Sequence, residues 1–170
     1  MSGENAMAEE QAIQAELVAK FPFLDAKIRI ARARRMFAEA PAEQAGEVLG
    51  HLQDRMQFSI LCTMTGLDLG ATLGVIYHVA RPSGIVLSLA IAVPKEKPVL
   101  QSITARFPAA ACYERELADL LGFQVQGLPE GPRYPLPDSW PAGQYPLRKD
   151  WKADSLPAAP RQKEREADHA

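Results

Sequence analysis

Residues 84–93 read GIVLSLAIAV, and this stretch decides which fold class the sequence can form. Large aliphatic side chains occupy every second position and alternate with smaller ones, which is the pattern of a strand with one buried face. The large residues are Ile85, Leu87, Leu89, Ile91 and Val93; Val86, Ser88, Ala90 and Ala92 alternate with them. It is also the longest apolar run, and it is too short to cross a bilayer as a helix. The stretch therefore predicts a strand of a half-buried sheet.

Two further strands precede it and complete a sheet. Residues 58–67 and 72–80 are rich in aliphatic and β-branched residues, and RPSG at 81–84 has the composition of a tight turn. Short connections of this kind join antiparallel neighbours. We therefore expect the three strands to form an antiparallel meander with one apolar face that helices must cover.

The flanking segments supply those helices and one more strand. Helices are predicted at residues 5–20, at 41–56 after Pro41, at 98–107 after Pro98 and at 108–121 after Pro108, with Gly122 as the left-handed cap of the last. Residues 27–37 alternate with a phase slip near Ala31, which predicts one bulged edge strand. The fold class is therefore α+β: a small, mostly antiparallel sheet covered by helices and followed by a proline-rich extended C-terminal arm.

Composition changes sharply after residue 126. Six of the fourteen prolines lie between residues 129 and 146, and each removes a backbone donor and fixes its own φ. The same segment contains Tyr134, Leu136, Trp140, Tyr145, Leu147 and Trp151, side chains that suit docking better than a flexible linker. We predict three regions: an α+β domain (residues 1–126), a docking arm (127–151, called the proline-rich segment below) and a disordered tail (152–170).

Composition and charge exclude several function classes. The net charge of −2 provides no general field for nucleic acid or anionic lipid. Cys62 and Cys112 are far apart without CxxC spacing, which disfavours disulfide, zinc and iron–sulfur sites and predicts buried, reduced thiols. The acidic N-terminus lacks the basic and apolar regions of a signal peptide.

The predicted helix at 108–121 carries a charged pattern, YERELADLLG from Tyr113. Glu114 and Glu116 lie on the two shoulders of its apolar face, so we expect them to hold arginines of the proline-rich segment. Arg115 and Asp119 share the opposite face at i, i+4, where a solvated surface pair and a functional role are about equally expected. In the segment itself, Arg148, Lys149 and Asp150 are predicted to be charged anchors.

These motifs carry a resemblance. The pattern ERE-x-x-D-x-x-G, followed by a proline-rich stretch and PLRKD, resembles the 30 kDa subunit of NADH:quinone oxidoreductase (respiratory complex I) and its equivalents in complex-I-like membrane-bound [NiFe] hydrogenases and formate hydrogenlyases. The matching residues are Glu114, Arg115, Glu116, Asp119, Gly122, Arg133, Asp138, Trp140, Pro146, Leu147, Arg148, Lys149 and Asp150. Complex I members usually have a GHPD-like turn followed by RRIL. Here Leu128 replaces the histidine, and the form YPLPDxWPxGxYPLRKD is more similar to the hydrogenase branch.

The resemblance implies a non-catalytic structural subunit. It implies no catalytic, cofactor or metal residue in this chain, and iron–sulfur clusters and a NiFe centre in partner subunits. The implied partners are the large catalytic subunit (the hydrogenase large subunit or its complex I equivalent) and the small iron–sulfur subunit, with no nucleic acid. It implies a peripheral location on the cytoplasmic side of the membrane, with membrane contact only through the complex. The resemblance also implies that the matching residues named above, except Pro146, bind the partner or dock the arm. Tyr134 is added to this set.

The residues alone leave three other functions open. RIARARR at 29–35 has four arginines in seven residues, but a charged edge strand is a commoner reason for them than nucleic-acid binding. An enzyme would need a cysteine paired with His51 or His78, and satisfied histidines are the commoner outcome. A free-standing adaptor that binds peptides along its sheet edge is the third alternative.

Overall fold

The structure is a computed structural model, and it describes residues 7–153. The predicted tail from residue 154 onward and the first residues of the predicted N-terminal helix lie outside this range. The helices are α1 (Ala8–Lys20), α2 (Ala45–Met56) and α3 (Ala110–Leu121). The strands are β1 (Ile28–Arg32), β2 (Arg35–Glu39), β3 (Ile60–Asp68), β4 (Thr72–Ala80), β5 (Val86–Pro94), β6 (Val99–Gln101) and β7 (Gln124–Gln126).

Five strands form the main sheet in the order β1-β2-β5-β4-β3. All neighbours are antiparallel except β2 and β5, which run parallel. The meander β3-β4-β5 matches the sequence prediction, and Gly84 closes its second turn with φ +85° and an N–H bond to the Arg81 carbonyl of 2.9 Å. The predicted α+β class with a mostly antiparallel sheet is confirmed.

One face of this sheet forms the core. Alternate residues of the two central strands are buried there, and α1, α2 and α3 pack their own buried residues into the same cluster. Burying these apolar side chains is the main stabilising term of the fold, at roughly 1.5–3 kcal/mol for each large one. The central members are Leu17, Leu49, Leu52, Leu73, Val75, Tyr77, Leu87, Leu89, Leu117 and Leu121.

Two predicted elements are wrong. Residues 27–37 are two strands of a hairpin rather than one, because the chain turns at Ala33 and Arg34, where Arg34 adopts φ +63°. The Arg34 N–H donates to the buried Glu10 carboxylate at 2.6 Å, which fixes the turn without glycine. The predicted short helix after Pro98 is instead strand β6, because its backbone pairs in parallel with β7 at the far end of α3.

The predicted burial of both thiols is also wrong, because Cys62 and Cys112 are exposed. None of the helices in residues 7–153 combines the length and hydrophobicity that a membrane span requires.

Candidate docking site on helix α3 and the proline-rich segment

The outer face of α3 holds the first half of the proline-rich segment. Asp119 accepts a hydrogen bond from Arg133 Nε at 2.6 Å on one oxygen and from the Leu136 N–H at 2.9 Å on the other. Arg133 Nη1 also donates to the Trp140 carbonyl at 2.8 Å. One carboxylate therefore fixes both a side chain and the backbone of a stretch whose prolines cannot form a helix or sheet ladder.

Arg115 lies one turn before Asp119 on the same face and binds the start of the segment. Its Nη2 donates to the carbonyls of Pro129 at 2.9 Å and Glu130 at 3.3 Å. Arg115 and Asp119, which are four residues apart on α3, thus each bind a different part of the proline-rich segment. Arginine suits this role because its planar fork of donors can reach adjacent carbonyls.

The two tryptophans of the segment share Gln144. Trp140 Nε1 donates to the Gln144 backbone carbonyl at 2.9 Å, and Trp151 Nε1 donates to its side-chain oxygen at 2.8 Å. The two indole ring centroids are 6.1 Å apart. Both indole N–H groups are therefore satisfied within the segment, as amphipathic aromatic side chains require when partly buried.

Residues 145–148 cap the C-terminal end of α3. Gly122 adopts φ +78°, and beyond it the Leu147 N–H donates to the Leu120 carbonyl at 3.1 Å. Arg148 Nε donates to the Leu121 carbonyl at 2.7 Å, and the guanidinium lies over the Tyr145 ring at 4.6 Å. A cation at this end satisfies carbonyls that the helix leaves free and complements the negative end of its dipole.

A buried carboxylate joins the end of the segment to the meander. Asp68, whose side chain is 2% exposed, accepts bonds of 2.8 Å from the N–H groups of Gly70 and Lys149 and from Lys95 Nζ. Lys95 also donates to Asp150 at 2.8 Å. The Lys95 ammonium and the two N–H donors hold the pKa of Asp68 well below its ordinary value, and Lys95 likewise lowers the pKa of Asp150.

The structure therefore brings most of the predicted site residues together. Eight of them take part in the contacts between the proline-rich segment and the rest of the domain: Arg115, Asp119, Gly122, Arg133, Trp140, Arg148, Lys149 and Asp150. Asp138 is exposed and forms none of these contacts. The sequence gives no sign that Asp68, Lys95 and Gln144 belong to the site. For Asp68 the reason is that its partner Lys149 lies 81 residues away, so no local pattern marks the carboxylate.

The expectation that Glu114 and Glu116 hold arginines of the segment is wrong for Glu114. Glu114 is 2% exposed and accepts bonds of 2.7 Å from the Ile103 N–H and from Ser102 Oγ, on the inner side of α3. Burial raises its pKa. Glu116 is half-buried near Leu147 and forms no hydrogen bond with the residues that the structure describes. The two glutamates therefore differ in environment, although both flank the same apolar stripe.

The alternative chemical sites have structural explanations. His51 Nε2 lies 3.2 Å from Glu16, and the ring of His78 bonds Ser88 Oγ at 2.8 Å and Thr65 Oγ1 at 3.2 Å. Burial, followed by the charge of Arg35, lowers the pKa of His78. Residues 7–153 contain no group of three or more His, Cys, Asp or Glu side chains suited to a metal ion.

Gly122→Ala tests the contact between α3 and the segment. A Cβ at Gly122 would lie 2.6 Å from the Tyr145 ring and 2.8 Å from Arg148 Nη2, whereas a Cβ at Gly143 would meet nothing within 4 Å. Both glycines have similar positive φ, +78° and +76°, so alanine strains both backbones equally. We expect Gly122→Ala to lower the free energy of unfolding by about 1–2 kcal/mol more than Gly143→Ala. Urea unfolding of the two variants measures the difference, and equal losses would contradict the contact.

Comparisons with known proteins identify the family. The family model described as respiratory-chain NADH dehydrogenase, 30 Kd subunit, matches residues 38–156. The C subunit of the F420H2 dehydrogenase of Methanosarcina mazei is 31% identical over 147 residues, which cover 85% of this chain and 92% of that protein. Membrane-bound hydrogenase subunit beta of Pyrococcus furiosus is 37% identical over 89 residues, which cover 50% of this chain and 51% of that protein.

A solved structure shares the fold. A chain of the membrane-bound sulfane sulfur reductase, described as an archaeal respiratory membrane complex, superimposes with a TM-score of 0.76 and 22% identity. The match covers 85% of this chain and 86% of that chain. Together with the family match over most of the residues described here, these similarities agree with the resemblance carried by the ERE and PLRKD motifs. The chain belongs to the family of the 30 kDa subunit of the respiratory-chain NADH dehydrogenase.

Proposed function

We propose that this chain is a non-catalytic structural subunit of a complex-I-like, membrane-bound oxidoreductase complex. In this proposal its proline-rich segment docks on the large catalytic subunit, and the small iron–sulfur subunit lies nearby. The chain binds no cofactor itself, and the partner subunits hold the iron–sulfur clusters and a NiFe centre. The complex places it on the cytoplasmic side of the membrane. Family membership and the names of its relatives support assembly into such a complex.

The observation that carries the docking role is that the segment is held on one side and exposed on the other. Its inner side is fixed by Asp119, Arg115 and Asp68, as described above. Two of its large hydrophobic side chains, Tyr134 and Leu147, nevertheless remain 45% and 56% exposed, respectively, to solvent. Exposed apolar side chains on a rigid backbone cost little conformational entropy on binding, which is a property of interface anchors.

Lys149 adds an exposed charge to the proline-rich segment. Its backbone N–H is bound to Asp68, but its exposed ammonium forms no ion pair with residues 7–153. Fixing the backbone while leaving the charged tip free presents a cation at a defined position. We propose that it meets carboxylates or carbonyls of the large subunit and sets the register of docking.

The hydrogenase branch is the version of this function that we propose. The form YPLPDxWPxGxYPLRKD is more similar to that branch, and the hydrogenase relative in Pyrococcus furiosus agrees with it. The same structural role in NADH:quinone oxidoreductase is the alternative, and the family model's description favours it. The two versions differ in the partner subunits that the chain would bind.

The experiment tags the chain after residue 160, solubilises native membranes gently and identifies the proteins that co-purify. The test variant is Leu147→Glu with Tyr134→Glu, and the control is Ile60→Glu, whose side chain is 49% exposed on β3. We expect the test variant to stay folded and lose the large subunit, and the control to retain it.

The identity of the recovered large subunit then decides the branch. Paired CxxC motifs with hydrogen-dependent dye reduction would indicate a hydrogenase, and a cysteine-poor counterpart with NADH or quinone activity would indicate complex I. Recovery of the chain alone would overturn both versions and favour a free-standing adaptor.

A further inference from the structure

The β1–β2 hairpin carries a positive surface that the proposed docking site does not use. Arg29, Arg32, Arg34 and Arg35 lie within seven residues, and none of them takes part in an ion pair formed among residues 7–153. The carboxylate of Glu10 binds the backbone N–H of Arg34 rather than its guanidinium. Four uncompensated arginines on a chain of net charge −2 form a strong local field.

A bulge in β1 directs three of these arginines to one face. The strand pairs Ile30 with Met36 and then Arg32 with Arg35, which leaves Ala31 as the extra residue. Without that bulge, Arg32 would follow Ile30 onto the core face, because strand side chains alternate. Instead, Arg32 lies opposite Arg35, a like-charge pair that destabilises the hairpin. The bulge therefore places the positive side chains in one row, although this lowers the stability of the hairpin.

Two of the guanidinium groups lie over the ring of Phe37. The Cζ atoms of Arg29 and Arg35 lie 4.5 and 5.2 Å from the centroid of its half-buried ring. Stacking restricts these long side chains but leaves the N–H donors at the edges of the guanidinium planes free. Restricted, edge-accessible guanidinium groups bind carboxylates in a bidentate manner. We call Arg29, Arg32, Arg35 and Phe37 the arginine face.

We propose that the arginine face is a second docking surface, which binds an acidic segment of another polypeptide in the same complex. The proposal rests on the proposed function, because it requires assembly with other subunits. Arg35 pairs with Val86 at the start of β5, whereas Lys95, which binds Asp150 of the proline-rich segment, directly follows the end of β5; Arg35 and Lys95 therefore lie roughly 30 Å apart along the sheet. One chain can therefore contact two separate partner regions.

A protein partner fits this surface better than nucleic acid. A nucleic-acid footprint extends along several phosphates and uses an overall basic protein, whereas this charge is confined to one hairpin of an acidic chain. Residues 161–170 of this chain balance three basic residues with three acidic ones, so they offer no acidic run for the face. A carboxylate-rich segment of a partner subunit would match both the positive charge and the small extent of this face.

The test places a photo-crosslinking benzoylphenylalanine at Ala33, an exposed turn residue, in the full chain within its native complex. We expect a crosslink to an Asp/Glu-rich peptide of another subunit. The triple variant Arg29→Glu, Arg32→Glu, Arg35→Glu should abolish the crosslink and lower recovery of that subunit about tenfold at low salt. The triple Arg→Gln variant removes the positive charges without adding negative ones, and it should change recovery in the same direction.

The control is Lys20→Glu, Arg55→Glu, Lys97→Glu, which changes the net charge equally at exposed positions elsewhere. It should leave the crosslink and the recovery unchanged. A crosslink to nucleic acid, lipid or residues 154–170, or none in an intact complex, would overturn the arginine-face proposal while the proposed function stands. Absence of any co-purified subunit would overturn both.

Discussion

Replacing Glu114 with alanine is expected to lower the free energy of unfolding by about 3 kcal/mol, because it leaves a buried donor without a partner. Glu114 binds the Ile103 N–H and Ser102 Oγ and is almost fully buried beneath α3. Urea unfolding at pH 7, followed by tryptophan fluorescence, measures the loss. Glu116→Ala on the same helix is the matched control, and we expect it to change stability by less than about 0.5 kcal/mol.

Glu114→Gln separates the hydrogen bonds from the charge. A glutamine can accept from Ile103 and donate to Ser102 Oγ, so the loss should be much smaller than for alanine. Burial raises the pKa of Glu114 above its ordinary value of 4.5, so the folded state binds the proton more tightly than the unfolded chain. Its contribution is therefore full below pH 4.5 and falls as pH rises through the raised pKa. The glutamine variant should lack this decline, and an unchanged pH profile would contradict the assignment.

Asp68→Asn is expected to lower the free energy of unfolding by about 2 kcal/mol at pH 7. Three donors converge on the Asp68 carboxylate, and an asparagine amide replaces one of its two acceptor oxygens with a further donor. The Lys149 amide should then exchange its hydrogen faster, which deuterium exchange with mass spectrometry detects. Asp150→Asn, at a side chain that is 71% exposed, is the control and should have a smaller effect.

The pH dependence at Asp68 has the opposite sign to that at Glu114. The pKa of Asp68 is lowered from its ordinary value of 3.8, so its stabilisation is full above pH 3.8 and is lost as pH falls towards the lowered pKa. The difference in stability between the wild-type chain and Asp68→Asn should therefore shrink below pH 3.8. A difference that stays constant under acid would show that the charge of Asp68 contributes nothing.

Patterns that depend on neighbouring residues predicted the fold well. The alternation at 85–93 predicted β5, and the spacing of apolar residues before Gly122 predicted α3 with its left-handed cap. The hairpin turn could not be predicted, because Arg34 is held in an unusual conformation by Glu10, 24 residues earlier. The apolar spacing after Pro98 predicts a helix where strand β6 forms, because the partner strand β7 lies beyond α3 in the sequence.

The composition of the sequence predicts where the candidate site lies, but it does not predict which residues contact each other there. Aromatic anchors and charges marked the proline-rich segment, yet a helical projection could not show which charged residues of α3 meet it. The shoulder residue Glu114 is turned inward by its bond to Ile103, and the pair Arg115 and Asp119 makes the contacts instead. Only the three-dimensional packing of α3 against β3 and β7 distinguishes these roles.

The hydrogen bond between Asp68 and Lys149 is expected to form late in folding. It joins residues that are 81 positions apart, and the intervening chain includes β4, β5 and α3. Closing so long a loop costs entropy that only the folded meander and helix can offset, so we expect this contact to form last. During synthesis, residues 68 to 122 leave the ribosome before residue 149 does. A partner subunit can therefore meet a domain that is already folded while the proline-rich segment is still free to be seated.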